Sequence, residues 1–259
     1  MENRRKKTNK QLKRYAMEAF QLKPGMAIGA ALSVFIIQIA ATLITSVLFP
    51  VNTVMSIVLG EIFSFALTVL TCLFEAGMYY MFLCLSRGEE SWYGQLLWFF
   101  QHNPDRIILA STVMAAITWL TSLPFSIYNY TAPIPATQEQ LMQYLTTSMA
   151  LFLISLALGT LIMVPFRLTY YILADEPETS SMEALKKSRE LMRGNFVRFV
   201  LLQLSFLPWM LLSVVAMYIP MLFVLPYIEL TNVALYRDIC GEYILYHPPV
   251  ETIGGSPEI

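Results

Sequence analysis

The chain has 259 residues, of which 56% are hydrophobic and 14% charged, against about 45–50% and about 25% in soluble domains. So few charges cannot cover a water-soluble fold of this size, and apolar content this high is the opposite of the disordered signature. The net charge of −1 conceals an asymmetry: residues 1–23 hold eight Lys and Arg against two Glu, while residues 242–259 hold three Glu and no cation. Beside apolar spans, such a basic leader favours anionic inner-leaflet lipid over nucleic acid, at about 1 kcal/mol per basic residue near the surface.

A crossing helix needs about 20 apolar residues. Within the leader (residues 1–25), Leu12, Tyr15, Ala16, Ala19 and Phe20 recur on one helical face. Lys10, Lys13 and Arg14 lie off that face, which predicts an interfacial helix with basic residues at the membrane surface. Residues 26–49 form an uncharged run that is longer than a signal-peptide core and ends in Phe49-Pro50, so it reads as an uncleaved first span. Residues 54–86 are apolar apart from Glu61 and Glu75; they exceed one crossing, so the outer end is expected to project or the helix to tilt. Residues 26–86 therefore read as a first hairpin.

A second interfacial helix is predicted over 91–103, capped by Ser91, striped by Trp92, Leu96, Phe99 and Phe100, and stopped at Asn103-Pro104. A span over 107–127, ended by Pro124 and an aromatic group (Phe125, Tyr128 and Tyr130), and a span over 144–174 make the second hairpin (107–174). Ser180 and Glu183 have capping-box spacing, Ala184, Leu185, Leu191 and Met192 share a face, and Gly194 supplies a stop. These features predict a third interfacial helix over 180–194, in which Glu183–Lys187 and Lys186–Glu190 are i,i+4 pairs of opposite charge. Residues 199–228 are uncharged and read as most of two helices turning at Tyr218-Ile219-Pro220, the third hairpin (197–241), before an acidic tail (242–259).

Six crossings with both termini cytoplasmic place all 17 Lys and Arg on inner segments, as the positive-inside pattern requires. Five crossings would put Arg237 outside. The expected fold is all-α: a polytopic membrane protein of six transmembrane helices in three hairpins, each preceded by an amphipathic interfacial helix. Phe20-Gln21-Leu22-Lys23-Pro24 and Phe100-Gln101-His102-Asn103-Pro104 look related, which suggests an internal repeat.

Charges within spans are costly, at about 2.5–3.5 kcal/mol on insertion scales, and usually pair inside the bundle. Glu75, Arg167 and Glu229 fall at similar depth, so Arg167 is expected to pair with Glu75 or Glu229, as a structural ion pair or as part of a substrate path. Pro165, Pro208 and Pro226 interrupt spans and read first as kinks.

Little else points to chemistry. The sequence shows no phosphate loop, His-Glu-x-x-His or Gly-x-Ser-x-Gly. His102 and His247 lie outside the predicted spans. Cys72, Cys84 and Cys240 have no paired spacing and read as packing residues. Glu89-Glu90 and Asp175-Glu176 suit helix starts and turns better than catalysis. No catalytic residue, metal ligand or cofactor is assigned.

Met163-Val164-Pro165, Tyr171-Ile172-Leu173-Ala174-Asp175-Glu176-Pro177 and the run from Glu183 to Gly194, followed by Leu204-Ser205-Phe206, Trp209, Pro226-Tyr227 and Tyr236, resemble the Gram-positive multi-pass membrane family known as domain of unknown function 975. The similarity centres on residues 160–240, with a weaker echo at Arg87-Gly88-Glu89. It implies a bacterial plasma-membrane protein with a helical fold and brings no substrate. Asn195 departs from the basic or His residue usual after the glycine, which argues against proton or phosphate handling there. The candidate cytoplasmic interaction segment is Asp175, Glu183, Lys186, Lys187, Arg189 and Arg193, whose plainest role is an interfacial lock between hairpins.

The leading expectation is a non-enzymatic envelope scaffold, accessory or protective factor acting through lipid or another membrane protein. The alternative is a small permease or exporter lined by Glu75, Arg167 and Glu229. A continuous polar cavity reaching those residues would favour transport, and a dry bundle the scaffold.

Overall fold

Among the described residues the long apolar runs are helical, because in a membrane only intrasegment hydrogen bonding satisfies the backbone. The computed structural model describes residues 6–50, 53–133, 135–216 and 219–242, and no strand occurs among them. Helix α1 spans Asn9–Leu22, α2 Pro24–Leu48, α3 Val54–Arg87, α4 Trp98–Gln101, α5 Pro104–Thr131 and α6 Gln138–Met163. Then come α7 (Thr169–Asp175), α8 (Ser181–Met192), α9 (Phe196–Leu204), α10 (Leu207–Val215) and α11 (Met221–Ile239). Five stretches are long and apolar enough to cross a membrane: Pro24–Leu48, Val54–Arg87, Pro104–Thr131, Gln138–Asp175 and Phe196–Val215. Helix α11 has 19 residues and carries Glu229, Arg237 and Asp238 among them. The acidic tail beyond Glu242, Arg4 and Arg5 of the leader, Tyr218 of the last turn and His247 lie outside the described residues.

Burial is concentrated at one end of the bundle, the end that carries α1, α8, Arg87 and Arg106. There α3 is almost continuously enclosed from Leu73 to Leu85, and Leu230 to Arg237 of α11 are buried alongside. Ala27 and Ala30 of α2 and Ala110 of α5 are fully buried at the same end; small side chains of this kind allow close helix approach. The opposite halves of the spans expose Ile36, Leu43, Ile62, Leu120 and Leu153, surface that hydrocarbon covers.

Three local expectations are corrected. The apolar face of α1, capped by Thr8, does not rest on lipid: Leu12, Ala16 and Ala19 are buried, and α1 packs chiefly along α11. An amphipathic stripe specifies an apolar partner without saying whether that partner is membrane or protein. Residues 91–103 form no continuous helix but a 3-10 turn, Tyr93–Leu97, followed by the single turn of α4. This segment presses so closely on α3 that a Cβ at Gly77 would lie 2.3 Å from the Leu96 carbonyl oxygen. Pro124 and the aromatic group after it do not end the third span; the proline lies inside α5, which runs on to Thr131. Helix α8 is capped by Ser180 with the reciprocal Glu183 bonds, and Gly194 adopts φ +86° after it.

A candidate intramembrane cleft

Helix α3 places Glu61, Ser64, Thr68, Cys72 and Glu75 three or four residues apart, so they form one polar stripe along an otherwise apolar helix. Helices α2 and α5 flank it. Two cavities lie against this stripe and share all five residues. One, of about 400 Å³, is closed by Gln38, Thr42 and Thr45 of α2. The other, of about 430 Å³, is closed by Ser111, Thr118 and Trp119 of α5 and by Arg167 and Tyr170. Both volumes fall in the range of small-molecule sites, about 300–1,000 Å³.

Arg167 reaches the cleft because the Gln138–Asp175 span breaks after Met163, about two thirds of the way along it. Pro165 cannot continue the helical hydrogen bonding, and Val164–Phe166 tightens into a 3-10 turn. The backbone groups released by the break are satisfied by Ser188 of α8, whose hydroxyl donates to the Pro165 carbonyl at 2.8 Å and accepts from the Leu168 amide at 3.1 Å. Ser188 is fully buried, so it is a positioning residue for Arg167.

The guanidinium donates from Nη2 to Glu229 Oε1 of α11 at 2.7 Å. Glu229 Oε2 also accepts from the Tyr171 hydroxyl at 3.1 Å and from Asn232 Nδ2 at 3.2 Å, and Asn232 in turn accepts from Gln203 at 2.6 Å. The Arg167 side chain is 40% exposed and that of Glu229 only 15%, so the arginine keeps a face open to the cleft. Glu75 lines the same cavity and accepts from Gln38, but makes no ion pair with Arg167 among the described residues. Toward the far end, Glu61 accepts from Trp119 Nε1 at 3.2 Å and from the Tyr130 hydroxyl at 2.9 Å. Among the described residues the structure therefore joins Arg167 to Glu229, and the hydrogen bonds to Glu75 and Glu61 come from neutral donors.

The other sequence candidates disperse. Asp175 enters a network at the enclosed end, accepting from Arg87 at 2.7 Å and from the Tyr236 hydroxyl at 3.0 Å. Glu242 accepts from Arg87 and, at 2.8 Å, from Arg237. Burial alone would raise the Glu242 carboxyl, but the hydrogen bonds from the two guanidinium groups outweigh it and hold the group below its ordinary value. Glu183 serves as a cap at the α8 start, where hydrogen bonds from Ser180 lower its pKa. Lys187 pairs with Glu176 instead of Glu183, because the turn after α7 folds back against α8. Lys186, Arg189 and Arg193 remain exposed beside Pro165 and Phe196. Of the three basic residues assigned to the membrane surface, Lys10 is exposed, Arg14 pairs with Glu18 at 3.0 Å, and Lys13 turns inward. Lys13 donates to the Ser205 carbonyl and sits 4.1 Å from the Phe206 ring centre, and burial lowers its pKa.

Sequence reasoning that follows charge alone misses Gln38, Ser64, Thr68 and Ser188. The α3 stripe was available as a period-3.6 run of polar residues in an apolar segment, whereas Gln38 and Ser188 carry no such signal. His102 stacks on Trp98 with ring centres 3.8 Å apart and lines neither cavity. Among the described residues no group of three His, Cys, Asp or Glu converges as a metal ion needs.

Apolar helices of crossing length around a polar interior define an all-helical, membrane-embedded protein. A family model described as protein of unknown function (DUF975) matches residues 1–242, and the chain belongs to that family. The match covers both halves, well beyond the 160–240 block that carries the visible resemblance. No curated protein and no solved structure matches the chain.

Proposed function

We propose that the protein is a small non-enzymatic permease or exporter of the bacterial plasma membrane, which takes a polar or charged solute into the cleft along α3. The observation that carries this reading is the continuity of the cleft from Glu61 to Glu75 and Arg167. Polar side chains at membrane depth are otherwise costly and mark solute pathways by default. On this reading α11 is the sixth crossing, both termini are cytoplasmic, and the enclosed basic end faces the cytoplasm. The local pairing of α11 supports it: Glu229 meets Arg167 within the span, and Asp238 accepts from Arg198 at 2.6 Å near its end.

Thiol labelling tests the reading. In a background with Cys72 and Cys240 replaced by serine, Ser64→Cys should react with membrane-impermeant methanethiosulfonates at least about tenfold faster than Leu70→Cys, whose position is exposed but lines none of the cavities described. Equal, slow labelling at both sites would mean a dry cleft. The scaffold or accessory role would then stand in its place, supported by the exposed Lys186, Arg189 and Arg193, which suit anionic inner-leaflet lipid or another membrane protein.

A further inference from the structure

A third cavity, of about 690 Å³, runs between α3 and α5 and is walled by Ile62, Phe65, Leu120, Leu123 and Ile127. Its walls are almost wholly apolar, and it opens on the lipid-facing side of the two helices. Glu61 lines this groove and both cavities of the polar cleft. Trp119 and Tyr130, which hold Glu61 by its two oxygens, stand at the junction as well. A hydrocarbon slot and a polar cleft therefore share one carboxylate.

The charge balance of the cleft selects the sign of a ligand. Arg167 is matched by Glu229. Among the described residues Glu61 has only the neutral donors Trp119 and Tyr130 and no ion pair, while Glu75 accepts from Gln38 and shares the field of Arg167 across the same cavity. A carboxylate held in a weakly solvated site without a counter-charge is the arrangement a cation relieves. Aromatic rings beside it add the affinity that quaternary ammonium groups find at such sites. We infer that the cleft takes a cationic amphiphile, its ammonium or guanidinium head against Glu61 and its chain in the groove between α3 and α5. Glu75 lies 14 residues further along α3, about 21 Å at helical rise, and offers a second station for the head along the same stripe.

This inference rests on the permease reading, and the test separates the two. Full-length Ser64→Cys protein, in the same serine background and in phosphatidylethanolamine–phosphatidylglycerol nanodiscs, is labelled in the presence of decyltrimethylammonium, tetramethylammonium or decyl sulfate. Decyltrimethylammonium should protect the thiol at concentrations about tenfold below either of the others. Glu61→Gln should weaken that protection, and Ala116→Phe, which fills the groove, should remove the advantage of the chain while leaving tetramethylammonium unchanged. Cys84, 4% exposed, reports by its late reaction with a thiol dye on heating that each variant is folded. Fast labelling with no advantage over tetramethylammonium would show that the groove holds no chain. Fast labelling with no advantage over decyl sulfate would show that charge does not select. Either result overturns the amphiphile and leaves a water-filled cleft standing, whereas an unreactive Ser64→Cys overturns both.

Discussion

The Arg167–Glu229 pair allows a quantitative test of how this bundle holds charge. Pairs in water are worth about 0–1 kcal/mol, while breaking a fully buried pair costs about 3–5 kcal/mol, because the remaining charge is stranded. Glu229 is 15% exposed and Arg167 40%, which places the pair between these limits. Removing the arginine strands a carboxylate that retains the Tyr171 and Asn232 hydrogen bonds, so Arg167→Met should cost about 2 kcal/mol. At about 2–4 °C per kcal/mol for a chain of this size, the midpoint should fall by about 4–8 °C. Glu229→Gln leaves the cation facing the open cleft and should cost less, about 1 kcal/mol.

The double variant decides the matter. It strands no charge, so its midpoint should lie above that of Arg167→Met and the cycle should show coupling of more than about 1 kcal/mol. The assay is thermal unfolding in detergent, read by a thiol-reactive dye at Cys84 with the accessible Cys72 and Cys240 replaced by serine. Additivity within about 0.5 kcal/mol would refute the reasoning, since two groups in contact cannot act independently.

The same assay tests packing at the crossing of α3 with the Tyr93–Leu97 turn: Gly77→Ala must displace the Leu96 backbone and should cost about 1–3 kcal/mol, whereas Gly25→Ala, with open space around its Cβ position, should cost nothing measurable. Ser188→Ala orphans the Pro165 carbonyl and the Leu168 amide and should cost about 1–3 kcal/mol, with faster amide exchange over Leu168–Tyr170 as the local readout. Glu242 has a lower pKa folded than unfolded, so its contribution is complete above its ordinary value of 4.5 and is lost as pH falls through the lower folded value. Acid titration of stability should therefore be flatter for Glu242→Gln than for the parent below pH 4.5, and parallel curves would disprove the role of the Arg87–Glu242–Arg237 contacts.

What the sequence made legible is what short-range physics encodes. The α8 cap needs only Ser180, Glu183 and a terminating Gly194, all within one helix. Crossing helices follow from apolar length. The joining of Arg167 to Glu229 rather than to Glu75 depends on how α11 sits against α7, 58 to 62 residues away in sequence, and no local pattern carries that. The fate of α1 was ambiguous for a different reason, since Leu12, Ala16 and Ala19 would look the same against acyl chains as against α11. The broken segment after α3 was obscured because Ser91 and the aromatic stripe imitate a helix, while Gly77, on another helix, provides the room for a tighter turn.

The uneven burial and the cleft have a common physical origin. At the enclosed end, α1, α8 and the turns project beyond the spans, and each buried apolar side chain gains from leaving water. Deeper in the membrane that gain disappears, because lipid solvates leucine as well as protein does. Helices there are held only by packing and by polar contacts, so the spans separate wherever neither is present. Polar residues on α3 then keep the resulting space open, since collapsing it would bury Ser64, Thr68 and Glu75 against hydrocarbon without enough partners. Ser188 and the Arg167–Glu229 pair sit where the two regimes meet. They tie the broken span to α8 and α11, so the rigid end holds the guanidinium in place while the cleft in front of it stays accessible.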